Sequence, residues 1–133
     1  MGTLVDTSVL IAAQRADLNL ASRLRATGDQ NIATATICVS KLLHGPHRMT
    51  NAVARARAER RIEDLLARLS IVAFDLEIAR LHARLSADLT AKGALVGAHD
   101  LIIAATALSL DYRVATRDRR SFPGIPGLDV VYW

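Results

Sequence analysis

The sequence predicts an α/β domain built on a mostly parallel central sheet with helices covering both faces. Two observations carry that expectation. Short apolar runs of strand length alternate along the chain with segments whose apolar residues recur at three- and four-residue steps. The chain also has 133 residues, 51% of them hydrophobic, enough to bury one sizeable core without disulfides or a structural metal. With no internal repeat, linker or low-complexity tract, residues 1–133 read as a single domain.

The elements follow in order. "TLVDTSVLI" opens with an apolar run that meets Asp-Thr-Ser, a short buried strand followed by a helix start, which leaves Asp6 at the strand's carboxyl end. "LASRLRA" (20–26) has helical spacing, and "NIATA" (31–35) reads as a second strand. "TICVSKLLHG" is expected to be a helix stopped by Gly45 and Pro46. Residues 48–69 predict one longer amphipathic helix, with Ile62, Leu65, Leu66 and Leu69 inward and arginines outward. "SIVAF" (70–74) is a third strand, and Ile78, Leu81, Leu85 and Leu89 mark one face of the next helix. "HDLIIAATALSL" makes a nearly all-apolar helix with Asp100 in its first turn. "YRVAT" is a fourth strand with Asp118 just beyond it, and "LDVVYW" closes the chain as a last strand. In such an architecture, sites form beyond the carboxyl ends of the strands.

Composition narrows the function classes. The longest apolar run, "LIIAATALSL" at 101–110, is too short to span a bilayer, and the first residues lack the basic start and cleavage site of a signal peptide. A soluble, cytoplasmic protein with no membrane partner is expected. Cys38 is the sole cysteine, so no intrachain disulfide forms, and a buried inert thiol is the simplest reading. The net charge of +4 and sequence pI near 10.0 favour a polyanion or an acidic protein as partner. That charge comes from 15 arginines and two lysines, Lys41 and Lys92.

Asp6 and Asp118 follow strands that read as parallel, and Asp100 begins a buried helix, so all three are expected to converge on one edge of the sheet. Carboxylates crowded in this way disfavour one another's ionisation, a cost usually relieved by a bound cation. Oxygen ligands without cysteine suit Mg²⁺ or Mn²⁺ better than zinc. Such an ion activates water and stabilises the charge that develops in phosphodiester cleavage. The alternative is purely structural: Asp6 and Asp100 as helix N-caps and Asp118 as a turn residue. Spacing alone leaves both readings open.

"LVDTSVLI", "ATICVSKLLHG", "GAHDLIIAATAL", "VATRDRRSF" and "IPGLDVV" together resemble, in order and across nearly the whole chain, the PIN-domain ribonucleases of the VapC toxin family. The resemblance implies a Mg²⁺-dependent endoribonuclease acting on structured RNA, homodimeric and neutralised by a VapB-type antitoxin. It implies that Asp6, Asp100 and Asp118 are the catalytic, metal-binding acids and that Thr116 lies beside them. The family pattern also carries a glutamate where this chain has Lys41. A lysine there puts an ammonium group where a cation ligand belongs, so it is expected to expel metal, or to pair with Asp6 and Asp100, and to impair cleavage. The plainer reading is that Lys41 snorkels harmlessly to solvent.

Arg117, Arg119 and Arg120, beside Asp118, and His99, beside Asp100, are candidates for RNA contact. Arg55, Arg57, Arg60 and Arg61 read as a solvated helix face, and His44, His47 and His82 show no ligand spacing. Two other functions compete. One is a catalytically inactive module of the same fold that sequesters antitoxin or RNA. The other is a phosphoacceptor receiver domain, which wants an adjacent acidic pair after its first strand and a late lysine; this chain has Asp6 alone and Lys41 early.

Overall fold

A computed structural model describes all 133 residues. Eleven elements follow one another: β1 (Gly2–Val5), α1 (Thr7–Gln14), α2 (Leu20–Thr27), β2 (Asn31–Ala35), α3 (Thr36–His47), α4 (Ala52–Leu66), β3 (Ser70–Val72), α5 (Leu76–Ala91), α6 (Ala98–Leu110), β4 (Arg113–Thr116) and β5 (Val130–Tyr132). The five strands lie in the order β3-β2-β1-β4-β5 and every neighbouring pair is parallel. The expected α/β class is therefore found, with a sheet that is wholly parallel.

Connection geometry divides the helices. From β1 the chain steps outward to β2 and β3, then returns past β1 to β4 and β5. Since crossovers between parallel strands are right-handed, α1–α4 cover one face and α5 and α6 the other. Packing agrees: α1, α3 and α4 lie against one another, and α5 lies along α6. The two inner strands β1 and β4 are the point where the strand order reverses, so a crevice opens beyond their carboxyl ends. Their core positions, Leu4, Val5, Val114 and Ala115, are fully buried, as are Ile103 and Ala104 of α6 packed over them.

Two helix boundaries differ from expectation. Helix α3 runs through Gly45 and Pro46 to His47. Proline removes one donor, but here it falls in the last turn, where it is buried, and i→i−3 bonds from Arg48 N to Gly45 O and Met49 N to Pro46 O close the helix. The single helix expected over residues 48–69 begins only at Ala52, because Asn51 leaves the helical conformation and caps α4, its side chain accepting from Ala54 N at 2.9 Å. Of its expected inward face, Ile62 is fully buried, while Leu65, Leu66 and Leu69 are half-buried at the edge of the core. Strand β3 is shorter than "SIVAF": it ends at Val72, and Phe74 stands exposed against His82 with rings edge to face.

Candidate active site

Asp6 caps α1. Its backbone is extended, and its Oδ1 accepts from Ser8 N at 2.9 Å, Ser8 Oγ at 2.5 Å and Val9 N at 3.3 Å. Its Oδ2 accepts from Thr116 Oγ1 at 2.6 Å. A carboxylate only 5% exposed is tolerated because protein donors replace its water. Asp6 is thus the N-cap that the structural reading expected, and it also sits at the reversal of strand order.

The turn after β4 is tied to the same group. Thr116 Oγ1 accepts from Asp118 N at 3.0 Å while donating to Asp6, and Ser8 Oγ accepts from Arg117 N at 2.9 Å. Asp118 in turn accepts from Arg120 N at 2.8 Å and Ser121 Oγ at 2.7 Å. The Ser121 hydroxyl, then the Arg120 backbone, hold the Asp118 carboxyl below its ordinary range. Thr116 itself is fully buried beneath the site, so it orients Asp6 and the turn rather than facing a ligand.

Asp100 arrives from the opposite face, in the first turn of α6. Its Oδ2 would stand 3.3 Å from a Cβ at position 97, so Gly97 leaves the room this carboxylate occupies. Burial pushes Asp100 above the ordinary carboxylate range, and Asp6 and Asp118 add to the rise; Ser121 and Lys41 oppose it.

Asp6, Asp100 and Asp118 line one cavity of about 170 Å³, together with Thr7, Ser8, Ser121, Ile103 and Lys41. The convergence expected from topology is present, and so is the lysine. Lys41 makes no ion pair with any carboxylate, so the direct pairing expected with Asp6 and Asp100 is not found. Its ammonium acts on Asp100 through space.

The donors suit a hard divalent cation in kind, being oxygens throughout, with the buried Thr7 Oγ1 also lacking a partner. In arrangement they do not fit one. No group of three or more His, Cys, Asp or Glu side chains is close enough to hold a metal ion, the Asp6 oxygens are engaged by protein donors, and a positive charge lines the cavity. No chemical step is therefore assigned to a metal in the chain with Lys41.

The basic candidates separate. Arg119 lies over the Tyr132 ring, 4.4 Å from its centroid, and so is turned toward β5. Arg120 is almost fully exposed, its Nε 3.8 Å from Asp118 Oδ1, and Arg117 is exposed. None of the three lines the acidic cavity. His99 opens instead onto a neighbouring cavity of about 620 Å³ that it shares with Ser40, Lys41, Leu43, His44 and His47. Sequence reasoning missed the grouping of His44 and His47 with His99. Their three-residue spacing on a helix was the available signal, though nothing in the sequence placed His99 opposite them. It also passed over Ser8 and Ser121, whose hydroxyls hold two of the three acids.

A parallel five-stranded sheet whose acids meet at the reversal of strand order defines the PIN-domain class, and the PIN domain family model matches residues 3–128. The chain belongs to that family. Within it, the chain belongs with the VapC ribonucleases of toxin–antitoxin systems by similarity. It is 30% identical over 131 residues to a ribonuclease VapC of Rickettsia bellii, covering 98% of this chain and 96% of that one. A tRNA(fMet)-specific endonuclease VapC of Salmonella typhimurium is 30% identical over 108 residues, 77% of this chain and 80% of that one. Among solved structures, the DNA-bound VapBC of Salmonella typhimurium superposes with a TM-score of 0.86 at 25% identity, covering 100% of this chain and 98% of that one. No helix is long and apolar enough to cross a membrane.

Proposed function

We propose that this chain is the toxin of a cytoplasmic toxin–antitoxin pair, an endoribonuclease fold whose Mg²⁺-dependent (or Mn²⁺-dependent) cleavage of structured RNA is suppressed by Lys41. One observation carries this reading: Lys41 lines the same cavity as Asp6, Asp100 and Asp118. With glutamate at position 41 the cavity would hold about four negative charges to balance one or two divalent ions, whereas lysine leaves about two net. Metal affinity falls, and a ligand or base for the attacking water is lost as well.

The remaining groups of the site serve either form. Ser8 and Thr116 fix the orientation of Asp6, and Ser121 that of Asp118. Gly97 leaves the space into which Asp100 projects. The test compares the chain with its Lys41→Glu form. Calorimetric titration with Mg²⁺ and with Mn²⁺ should show tighter binding to Lys41→Glu, and cleavage of total cellular RNA should rise by about a hundredfold or more. Equal metal affinity and equal cleavage in the two forms would overturn the role given to Lys41.

The same lysine favours a second reading, an inactive module that holds antitoxin or RNA without cutting it. It stands if Lys41→Glu binds metal and still fails to cleave. Under either reading a VapB antitoxin is the protein partner. An apolar groove of about 480 Å³ between the α1–α2 connection, α2 and the end of α4 supports this, walled by Leu18, Leu20, Leu24, Leu65 and Leu69, with Arg68 beside them. A homodimer is the proposed assembly.

A further inference from the structure

The cavity beside the acidic one is opposite in character. It is lined by Ser40, Lys41, Leu43, His44, His47 and His99, and no carboxylate lines it. Helical spacing brings Ser40, His44 and His47 onto one face of α3, with Lys41 one turn before His44. His99 comes from the first turn of α6, across the crevice. Lys41 lines both cavities, so the acidic and the basic chambers adjoin at that residue.

The donor inventory points to an anion. Lys41 only donates, and Ser40 carries a hydroxyl. Arg55 Nη2 lies 2.7 Å from His47 Nδ1, and a guanidinium has no acceptor, so Nδ1 must accept and the His47 proton resides on Nε2 as a donor. Arg55 is itself held by Glu59 at 2.9 Å, which fixes the group that orients His47. A cation is disfavoured, because the three histidines are not close enough together to hold a metal ion.

We propose that this cavity is a phosphodiester-binding subsite for the RNA strand, seating a backbone phosphate next to the bond presented to Asp6, Asp100 and Asp118. The inference rests on the ribonuclease reading for its ligand and goes beyond it by assigning Ser40, His44 and His47 to substrate binding alongside His99. Phosphate contacts position a strand without reading its sequence. The subsite therefore gives affinity and register, and base preference must come from elsewhere.

The test uses a short 2′-O-methyl oligoribonucleotide in EDTA, so that binding is read without cleavage, by fluorescence anisotropy. A variant carrying His44→Ala, His47→Ala and His99→Ala should bind it about tenfold more weakly or worse, through loss of three imidazole donors. The loss should be the same for oligonucleotides of different sequence. Arg84→Gln, on the exposed face of α5 and lining neither cavity, should stay within about twofold. Affinity within about twofold of the parent for the triple variant, with unchanged circular dichroism and melting, would overturn the subsite. A loss confined to one sequence would overturn it too, by showing a base reader. Kinetics in the Lys41→Glu background separate this inference from the reading beneath it. Cleavage with unchanged KM in the triple variant would remove the subsite and keep the ribonuclease. Binding that depends on the histidines with no cleavage would keep the subsite and remove the ribonuclease.

Discussion

Asp100 and Asp118 are pushed in opposite directions, and the sign of each push fixes a pH dependence. Asp100, raised by burial, takes up its proton at higher pH when folded than when unfolded. Keeping it ionised therefore costs stability, in full above the raised folded value and not at all below the unfolded one. Asp118, lowered by Ser121 and the Arg120 backbone, contributes stability above its unfolded value that is lost as pH falls through the folded one. Asp100→Asn should accordingly melt above the parent at neutral pH, with the advantage shrinking as pH falls through the carboxylate range. Ser121→Ala should melt below the parent at neutral pH and converge with it in acid. Calorimetric melting over a pH series checks both, and a pH-independent gain for Asp100→Asn would point to packing rather than charge. Of these residues, the aspartates were legible in the sequence because each follows a strand or opens a helix. Ser8 and Ser121 were not, since a serine's role depends on where its single hydroxyl points, and only the folded turn after β4 fixes that.

Among the elements, the strands and their order of appearance were readable because apolar runs of three to five residues have few other uses in a chain of this length. The boundaries of α3 and α4 were not. Gly45 and Pro46 look like a stop, yet proline in a last turn forfeits only one bond, and Pro46, itself buried, leaves the helix to run on to His47. The real interruption is at residues 48–51, and its signal was Asn51, a cap residue three positions before the N–H it accepts. Asn51→Ala should destabilise the chain by about 1 kcal/mol, measured by urea unfolding, while Asn51→Ser should recover most of the loss. Asp6 caps α1 with more at stake, because its two oxygens serve Ser8, Val9 and Thr116 together. Asp6→Ala should cost about 2 kcal/mol or more, so any fall in activity at this position includes a fall in folded protein.

For the whole molecule, the reversal of strand order between β1 and β4 is what gathers acids from residues 6, 100 and 118 on one crevice, and alternation of strands and helices was enough to anticipate it. What alternation could not reveal is the inventory of surfaces around that crevice. The groove between α2 and α4 depends on Leu24 and Leu65 meeting across 41 positions of sequence. If an antitoxin segment occupies it, Leu24→Glu should weaken antitoxin capture by about tenfold or more, since a charge then faces an apolar wall, with the isolated chain's melting nearly unchanged. Isothermal titration with the antitoxin checks this, and unchanged affinity would move the partner to another face. Light scattering on the isolated chain should give the mass of two copies, and a strict monomer at high concentration would count against the dimer.

Lys41 stands exposed on α3, without an ion pair and without a share in the core. Glutamate and lysine codons differ only at their first base, so one transition in the gene exchanges the two. Because the fold does not depend on the side chain at 41, the exchange changes stability by no more than about 0.5 kcal/mol in either direction. If Lys41 silences cleavage as proposed, the active and inactive forms of the chain are neighbours in sequence space, joined by a single reversible step that never passes through an unfolded protein. On that proposal, a population carrying the lysine form keeps the apolar groove between α2 and α4 unchanged and remains one mutation away from the nuclease.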